Sequence, residues 1–83
     1  MKFFIVWDEK AFQELEKLES LVSRRILKKV RQLEEDPFSK DVKRLKGLDG
    51  FRLRVGDYRV LFAVEGEQIQ ILKVGHRKSI YKQ

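Results

Sequence analysis

The stretch that decides the fold is FRLRVGDYRVLF, residues 51–62. Successive side chains of a strand point to opposite faces, so Phe51, Leu53 and Val55 point one way and Arg52 and Arg54 the other. Gly56-Asp57 then supplies a two-residue turn, and glycine in the first turn position favours a type II′ hairpin. That turn sets Val55 opposite Tyr58, Arg54 opposite Arg59, Leu53 opposite Val60 and Phe51 opposite Phe62. One face of the hairpin is wholly apolar and has to be covered. The other sets arginine against arginine.

Downstream, after a turn around Glu65-Gly66-Glu67, a third meander strand is expected from about Gln68 to Val74. With an even number of turn residues, Gln70, Leu72 and Val74 extend the arginine face. Upstream, residues 2–7, KFFIVW, are aromatic and β-branched and read as a buried strand that stops at Asp8. Asp8 caps a short helix whose apolar positions are Phe12, Leu15 and Leu18, and Ser20 caps a second with Val22, Ile26, Val30 and Leu33 as its stripe. Asp36-Pro37 ends that helix, because proline offers no N–H and disfavours helix in the residue before it. Residues 37–50, PFSKDVKRLKGLDG, lack sustained periodicity and read as a loop whose glycines, Gly47 and Gly50, mark turns. The expected architecture is one α+β domain over residues 1–83, ordered β-α-α-β-β-β. Its helical hairpin covers one face of a small, mostly antiparallel four-stranded sheet.

Eighty-three residues and 10.0 kDa leave room for one core, which six Phe, one Trp and two Tyr help to fill. With no Cys, disulfides, zinc fingers and thiol catalysis drop out, and a single His does not suggest a transition-metal site. The formal charge is +6. Residues 8–36 hold seven bases against eight acids and residues 37–83 eleven against five, so the excess lies in the second half. Such a surface suits a polyanionic partner. No apolar run is long enough for a membrane span and the N-terminus turns acidic too soon for a signal peptide, so the expected location is the cytoplasm. The absence of Cys, Asn and Thr beside abundant Lys and Glu is the composition expected of a thermophile protein.

Like charges directly opposite on antiparallel strands are destabilising, so the fold alone does not favour Arg54 facing Arg59 with Arg52 beside them. An anionic ligand would relieve the repulsion. The plain alternative is a solvated face of mobile side chains. Arginine in particular offers a guanidinium fork that grips phosphate oxygens and stays charged at ordinary pH. The C-terminal GHRKSIYKQ adds His76, Arg77, Lys78 and Tyr81, side chains suited to proton transfer and phosphate binding, although a strand-end His and a terminal Tyr also have ordinary packing roles. On the second helix, Arg24, Arg25, Lys28, Lys29 and Arg31 form either a solvated face or an RNA backbone contact.

There is no glycine-rich phosphate loop, Gly-x-Ser-x-Gly elbow or metal-binding helix motif. The phosphate chemistry needing the fewest parts is RNA self-transesterification. A base takes the 2′-OH proton, the oxygen attacks phosphorus, cations stabilise the phosphorane and an acid protonates the leaving 5′-oxygen.

The run KRLKGLDGFRLRVGDYRVLF, residues 43–62, followed by VGHRKSIY, residues 74–81, resembles the RelE toxin family of the RelE/ParE superfamily of type II toxin–antitoxin modules. The resemblance implies a ribosome-dependent endoribonuclease, an mRNA interferase that cuts mRNA in the ribosomal A site without metal or other cofactor. Its implied partners are the ribosome, mRNA and a RelB-like antitoxin. It also assigns roles: Arg59 and Arg77 hold the scissile phosphate, Arg52 and Arg54 orient RNA, and Tyr81 stacks on a base or assists proton transfer. Some relatives carry lysine where this chain has Arg52 and Arg54, which leaves the proton acceptor among Tyr81, His76 and Lys46. Further RNA contacts are expected from Lys43, Arg44, Lys46, Arg25, Lys28, Lys29 and Lys78. The rivals are a ParE-type inhibitor of DNA gyrase, which needs no nuclease site, and a non-catalytic RNA-binding module.

Overall fold

The structure, a computed structural model, describes residues 2–46 and 49–81. Strand β1 (Phe4–Trp7) is followed by helices α1 (Glu9–Glu16) and α2 (Ser20–Gln32). The chain then forms β2 (Val42–Arg44), β3 (Phe51–Val55), β4 (Tyr58–Glu65) and β5 (Gln68–His76). The five strands form one sheet in the order β1-β5-β4-β3-β2, antiparallel except for the β1–β5 pair. The helical hairpin carries the chain from one edge of the sheet to the other, and the meander β2 to β5 brings it back beside β1.

The hairpin at residues 51–62 has the expected register at all four named pairs, from Val55 opposite Tyr58 to Phe51 opposite Phe62, with Arg52 opposite Leu61 between them. Gly56 sits at φ 58° and no described non-glycine residue has a positive φ, which are the φ signs of a type II′ turn. The apolar face meets the helices: Leu53, Val55, Val60, Phe62, Ile69 and Ile71 pack with Ala11 and Leu15 of α1 and Ile26 and Val30 of α2. Burying such side chains contributes about 1.5–3 kcal/mol each relative to leaving them in water.

Several expectations are corrected. The supposed loop 37–50 contains β2, which makes the sheet five-stranded; three residues are too few for a period to show. The turn expected at Gly47 lies outside the described residues. β1 is an edge strand rather than a buried one, with Phe4 and Val6 exposed. Phe12 lies outside the core and meets Trp7 edge-on at 5.8 Å, while Ala11 takes the buried position. Glu19, not Ser20, is the N-cap of α2, and the helix ends at Gln32, before the proline takes effect.

The largest correction concerns β5. The two-residue turn does pair Gln68 with Glu65 and Gln70 with Ala63, but an irregularity at Leu61/Phe62 inserts Leu72 as an extra residue. Strict alternation would have buried Lys73. The bulge keeps Lys73 opposite Leu61 on the outer face and turns Val74 inward opposite Val60, where it is buried.

Two carboxylates fasten the sheet to its surroundings. β1 ends at Trp7, paired with Ile71, so the last part of β5 has no strand on that side. There the Val74 N–H donates to Glu14 Oε1 of α1 at 2.9 Å. At the other end Asp41, just before β2, accepts from Lys29 Nζ of α2 at 2.8 Å and from Arg54 Nη2 of β3 at 3.0 Å. The hydrogen bonds from Lys29 and then Arg54 hold the Asp41 carboxyl below its ordinary range.

Glu14→Ala, which leaves the Val74 N–H without its acceptor, is expected to lower stability in chemical denaturation by about 1–2 kcal/mol, with Glu14→Gln retaining most of it. Asp41 has a folded-state pKa below its unfolded one, so its contribution is complete above the ordinary carboxyl range near ~3.9 and disappears as the pH falls through the lowered folded value. The stability difference between wild type and Asp41→Asn is therefore expected to shrink on acidification through that window. A pH-independent difference would rule the ion pair out as its cause.

Candidate RNA-binding face

Because the helices occupy the apolar face, the candidate side chains collect on the other. The register writes this face in rows: Lys43, Arg52, Leu61 and Lys73 lie side by side across four strands, and Arg54, Arg59 and Gly75 form the next row across three. Lys43 opposite Arg52 adds a second like-charge pair to Arg54 opposite Arg59.

Gly75 explains how the C-terminal segment joins them. A Cβ at Gly75 would lie 3.3 Å from Ile80 Cδ1, so the missing side chain lets Ile80 close over the strand opposite Arg59. Ile80 is 2% exposed yet packs apart from the main core cluster. The turn leading to it is held by its own backbone. The His76 carbonyl accepts from the Ser79 and Ile80 N–H groups at 3.0 and 2.9 Å, and the Arg77 N–H donates to the Asp57 carbonyl at 2.8 Å. Ile80 thus anchors the tail, and Tyr81 follows it onto the cationic face.

Arg52, Arg59, Arg77, Lys78 and Tyr81 line one open depression of about 400 Å³. Lys43, Arg44, Lys46, Arg52 and Tyr81 belong to a second, of about 380 Å³, so Arg52 and Tyr81 stand between the two. Arg59 Nη1 donates to the carbonyls of Gly56 and Tyr58 at 2.9 Å each, which fixes its direction without neutralising it. Burial, then the charge of Arg52, push the Arg59 guanidinium down from its ordinary value, with Tyr81 opposing the shift. It remains a cation at ordinary pH. Among the described residues neither Arg52 nor Arg59 has a carboxylate partner. Arg77 has only Asp57 at 3.6 Å, with both side chains more than half exposed, a pairing that contributes little.

The other sequence candidates sit differently. Arg54 turns to Asp41 and shares a neighbouring depression with Lys40, Lys43 and Arg52. His76 lines none of these depressions: its ring meets Tyr58 edge-on at 5.4 Å, and its Nδ1 accepts the Lys78 N–H at 3.1 Å. Arg25 stands by the hairpin turn, with Nη1 3.6 Å from where a Gly56 Cβ would be. Lys29 is held by Asp41, and neither Arg25 nor Lys28 reaches the cleft of Arg59 and Tyr81. Gln70 lines a separate depression of about 460 Å³, whose mixture of Arg44 with Asp49 and Glu65 concentrates no single charge. Among the described residues no three His, Asp or Glu side chains gather as a metal-donor set.

Asp41, Gly75 and Ile80 escaped the sequence reading. Asp41 shows in the sequence as a lone acid in the basic run Lys40-Asp41-Val42-Lys43-Arg44, and Gly75 and Ile80 lie in the 74–81 motif without their packing against each other being legible there.

Residues 5–81 match the profile of a family described as the ParE toxin of the type II toxin–antitoxin system parDE. Toxin RelE3 of Methanocaldococcus jannaschii is 48% identical over 42 residues, 49% of this chain and 48% of that protein, so the match spans about half the length of that curated relative. Among solved structures, a chain of the archaeal RelE–RelB complex of Pyrococcus horikoshii superimposes with a TM-score of 0.83 at 31% identity, over 95% of this chain and 99% of that one. A chain of the intact RelBE toxin–antitoxin complex of E. coli gives a TM-score of 0.75 at 32% identity over 89% and 95%. With a family profile spanning all but its ends and a RelE likeness along nearly the whole of both chains, this protein belongs to the RelE/ParE family of type II toxin–antitoxin toxins.

Proposed function

We propose that this protein is a ribosome-dependent endoribonuclease that cuts mRNA in the A site by 2′-OH transesterification and so stops translation. The observation that carries the reading is the depression where Arg52 and Arg59, without carboxylate partners among the described residues, stand beside Arg77 and Tyr81. Three guanidinium groups lining one open cleft suit a phosphate whose charge grows during reaction, and such preorganised donors act most strongly in the transition state. In the reaction, the 2′-OH gives up its proton and its oxygen bonds to the adjacent phosphorus. The bond to the 5′-oxygen breaks, and that oxygen takes a proton, leaving a 2′,3′-cyclic phosphate and a 5′-hydroxyl. Arg59 and Arg77 neutralise the pentacoordinate phosphorus, Arg52 aligns the strand, and Tyr81 stacks on a base or takes part in proton transfer. Lys46, lining the adjoining depression with Tyr81, is the other proton-transfer candidate. The chemistry is read as needing no metal. The openness of the cleft fits a substrate positioned by the ribosome rather than by the toxin alone.

The ParE name of the matching profile favours one rival, inhibition of DNA gyrase without nuclease action. Mapping mRNA ends on purified translating ribosomes separates the two: cuts at codon positions support the nuclease, whereas intact mRNA with arrested gyrase supports the rival. If the nuclease reading holds, Arg59→Ala, Arg77→Ala and Tyr81→Ala are each expected to lower cleavage by about 10²–10³-fold. Their unfolding midpoints should change little, since none belongs to the apolar core. Wild-type cleavage by these folded variants would dismiss the assignment.

The regulator is proposed to be an acidic, RelB-like antitoxin that covers the cationic face, in keeping with the RelE–RelB complex among the structural neighbours. Its binding, followed by titration calorimetry, is expected to weaken steadily as salt rises. Salt-insensitive affinity would place the main contact on apolar surface instead.

A further inference from the structure

We propose that Asp41 is a positioning residue that withdraws Arg54 from the RNA-binding cations, leaving Arg52, Arg59 and Arg77 as the set that meets phosphate. The assignment rests on the RNA reading of this face. Arg54 and Arg59 are directly opposed on the same face of the sheet, yet they are used differently. Arg59 is aimed by two carbonyls and keeps its charge unpaired, whereas Arg54 gives Nη2 to Asp41 Oδ1 at 3.0 Å. The backbone repeats the connection, with the Arg54 N–H donating to the Asp41 carbonyl at 2.9 Å. The other carboxylate oxygen is held by Lys29 at 2.8 Å, so the acid is fixed from the helix as well as from the sheet. Its side chain is only 13% exposed, beside 59% for Arg54.

Such an acid has two effects on an anion-binding face. It offsets part of the repulsion between Arg54 and Arg59 from within the protein. It also turns Arg54 toward the depression it shares with Lys40 and Lys43, away from the one that holds Arg59, Arg77 and Tyr81. Removing the carboxylate leaves Arg54 with phosphate as its available counter-ion on that face. The number of cations that engage RNA is then set by Asp41 as well as by the arginines.

The number of neutralised phosphates is read from the salt dependence of binding, which for single strands changes by about 0.7 in log–log slope per phosphate. The probe is a single-stranded RNA made uncleavable by 2′-O-methylation, titrated at several salt concentrations with protein variants confirmed to be folded by circular dichroism. Arg52→Ala is expected to make the slope shallower by about 0.7, while Arg54→Ala leaves it at the wild-type value. Asp41→Asn is expected to steepen it by about 0.7, Asp41→Glu to restore it, and the double variant Asp41→Asn/Arg54→Ala to return it to wild type. A shallower slope for Arg54→Ala, equal to that of Arg52→Ala, would overturn the proposal by showing that Arg54 meets phosphate directly. An unchanged slope for Asp41→Asn would overturn it too. If wild-type protein shows no salt-dependent RNA binding at all, the RNA reading fails and this assignment fails with it.

Discussion

The pairing of β3 with β4 about Gly56-Asp57 is the constraint on which the rest of the structure depends. It puts Leu53 against Val60 and Phe51 against Phe62 on one side, and that side is stable only under a cover of helices. By the same alternation it forces Arg54 against Arg59 on the other side and leaves Arg52 beside them. Opposed like charges cost a few tenths of a kcal/mol to about 1 kcal/mol, small against the burial of the apolar face, so the hairpin forms and the repulsion persists. A protein folded in this way carries its opposed surface cations as a consequence of its core.

Three devices manage that charge, and each comes from a different part of the chain. Asp41 takes Arg54 from the segment before β2, and backbone carbonyls at the hairpin turn aim Arg59 without neutralising it. The C-terminal turn, anchored by Ile80 over Gly75, brings Arg77 and Tyr81 to the remaining free cations. His76 supports this turn through its carbonyl and Nδ1 and meets Tyr58 edge-on, so it shapes the site from the side. The two carbonyls fix the direction of the partly buried Arg59 among the residues that line the cleft.

Sequence pattern was sufficient where a period ran long enough. FRLRV and YRVLF gave the hairpin and its register, and Ile26 and Val30, with Leu33 just past the helix end, gave the buried face of α2. It was insufficient where an element was short or alternation broke. Val42–Arg44 is three residues long and vanished into an expected loop. At β5, the run Ile69 to Val74 contains one residue too many for strict alternation, and the bulge at Leu72 cannot be placed until its neighbour strand is known.

The sequence by itself determined that one sheet face would be apolar and the other cationic, because side-chain direction along a strand is local geometry. It also determined which residue types could grip phosphate, and through the 43–62 and 74–81 motifs it pointed to the family. Only the tertiary structure decided which cations come together. Arg52, Arg59, Arg77 and Tyr81 share a depression while Arg54 is bound to Asp41, thirteen residues earlier in the chain, and Lys29 is bound to the same acid. Ion pairing and packing depend on distance in space, and no local period encodes which distant side chain will arrive within 3.0 Å.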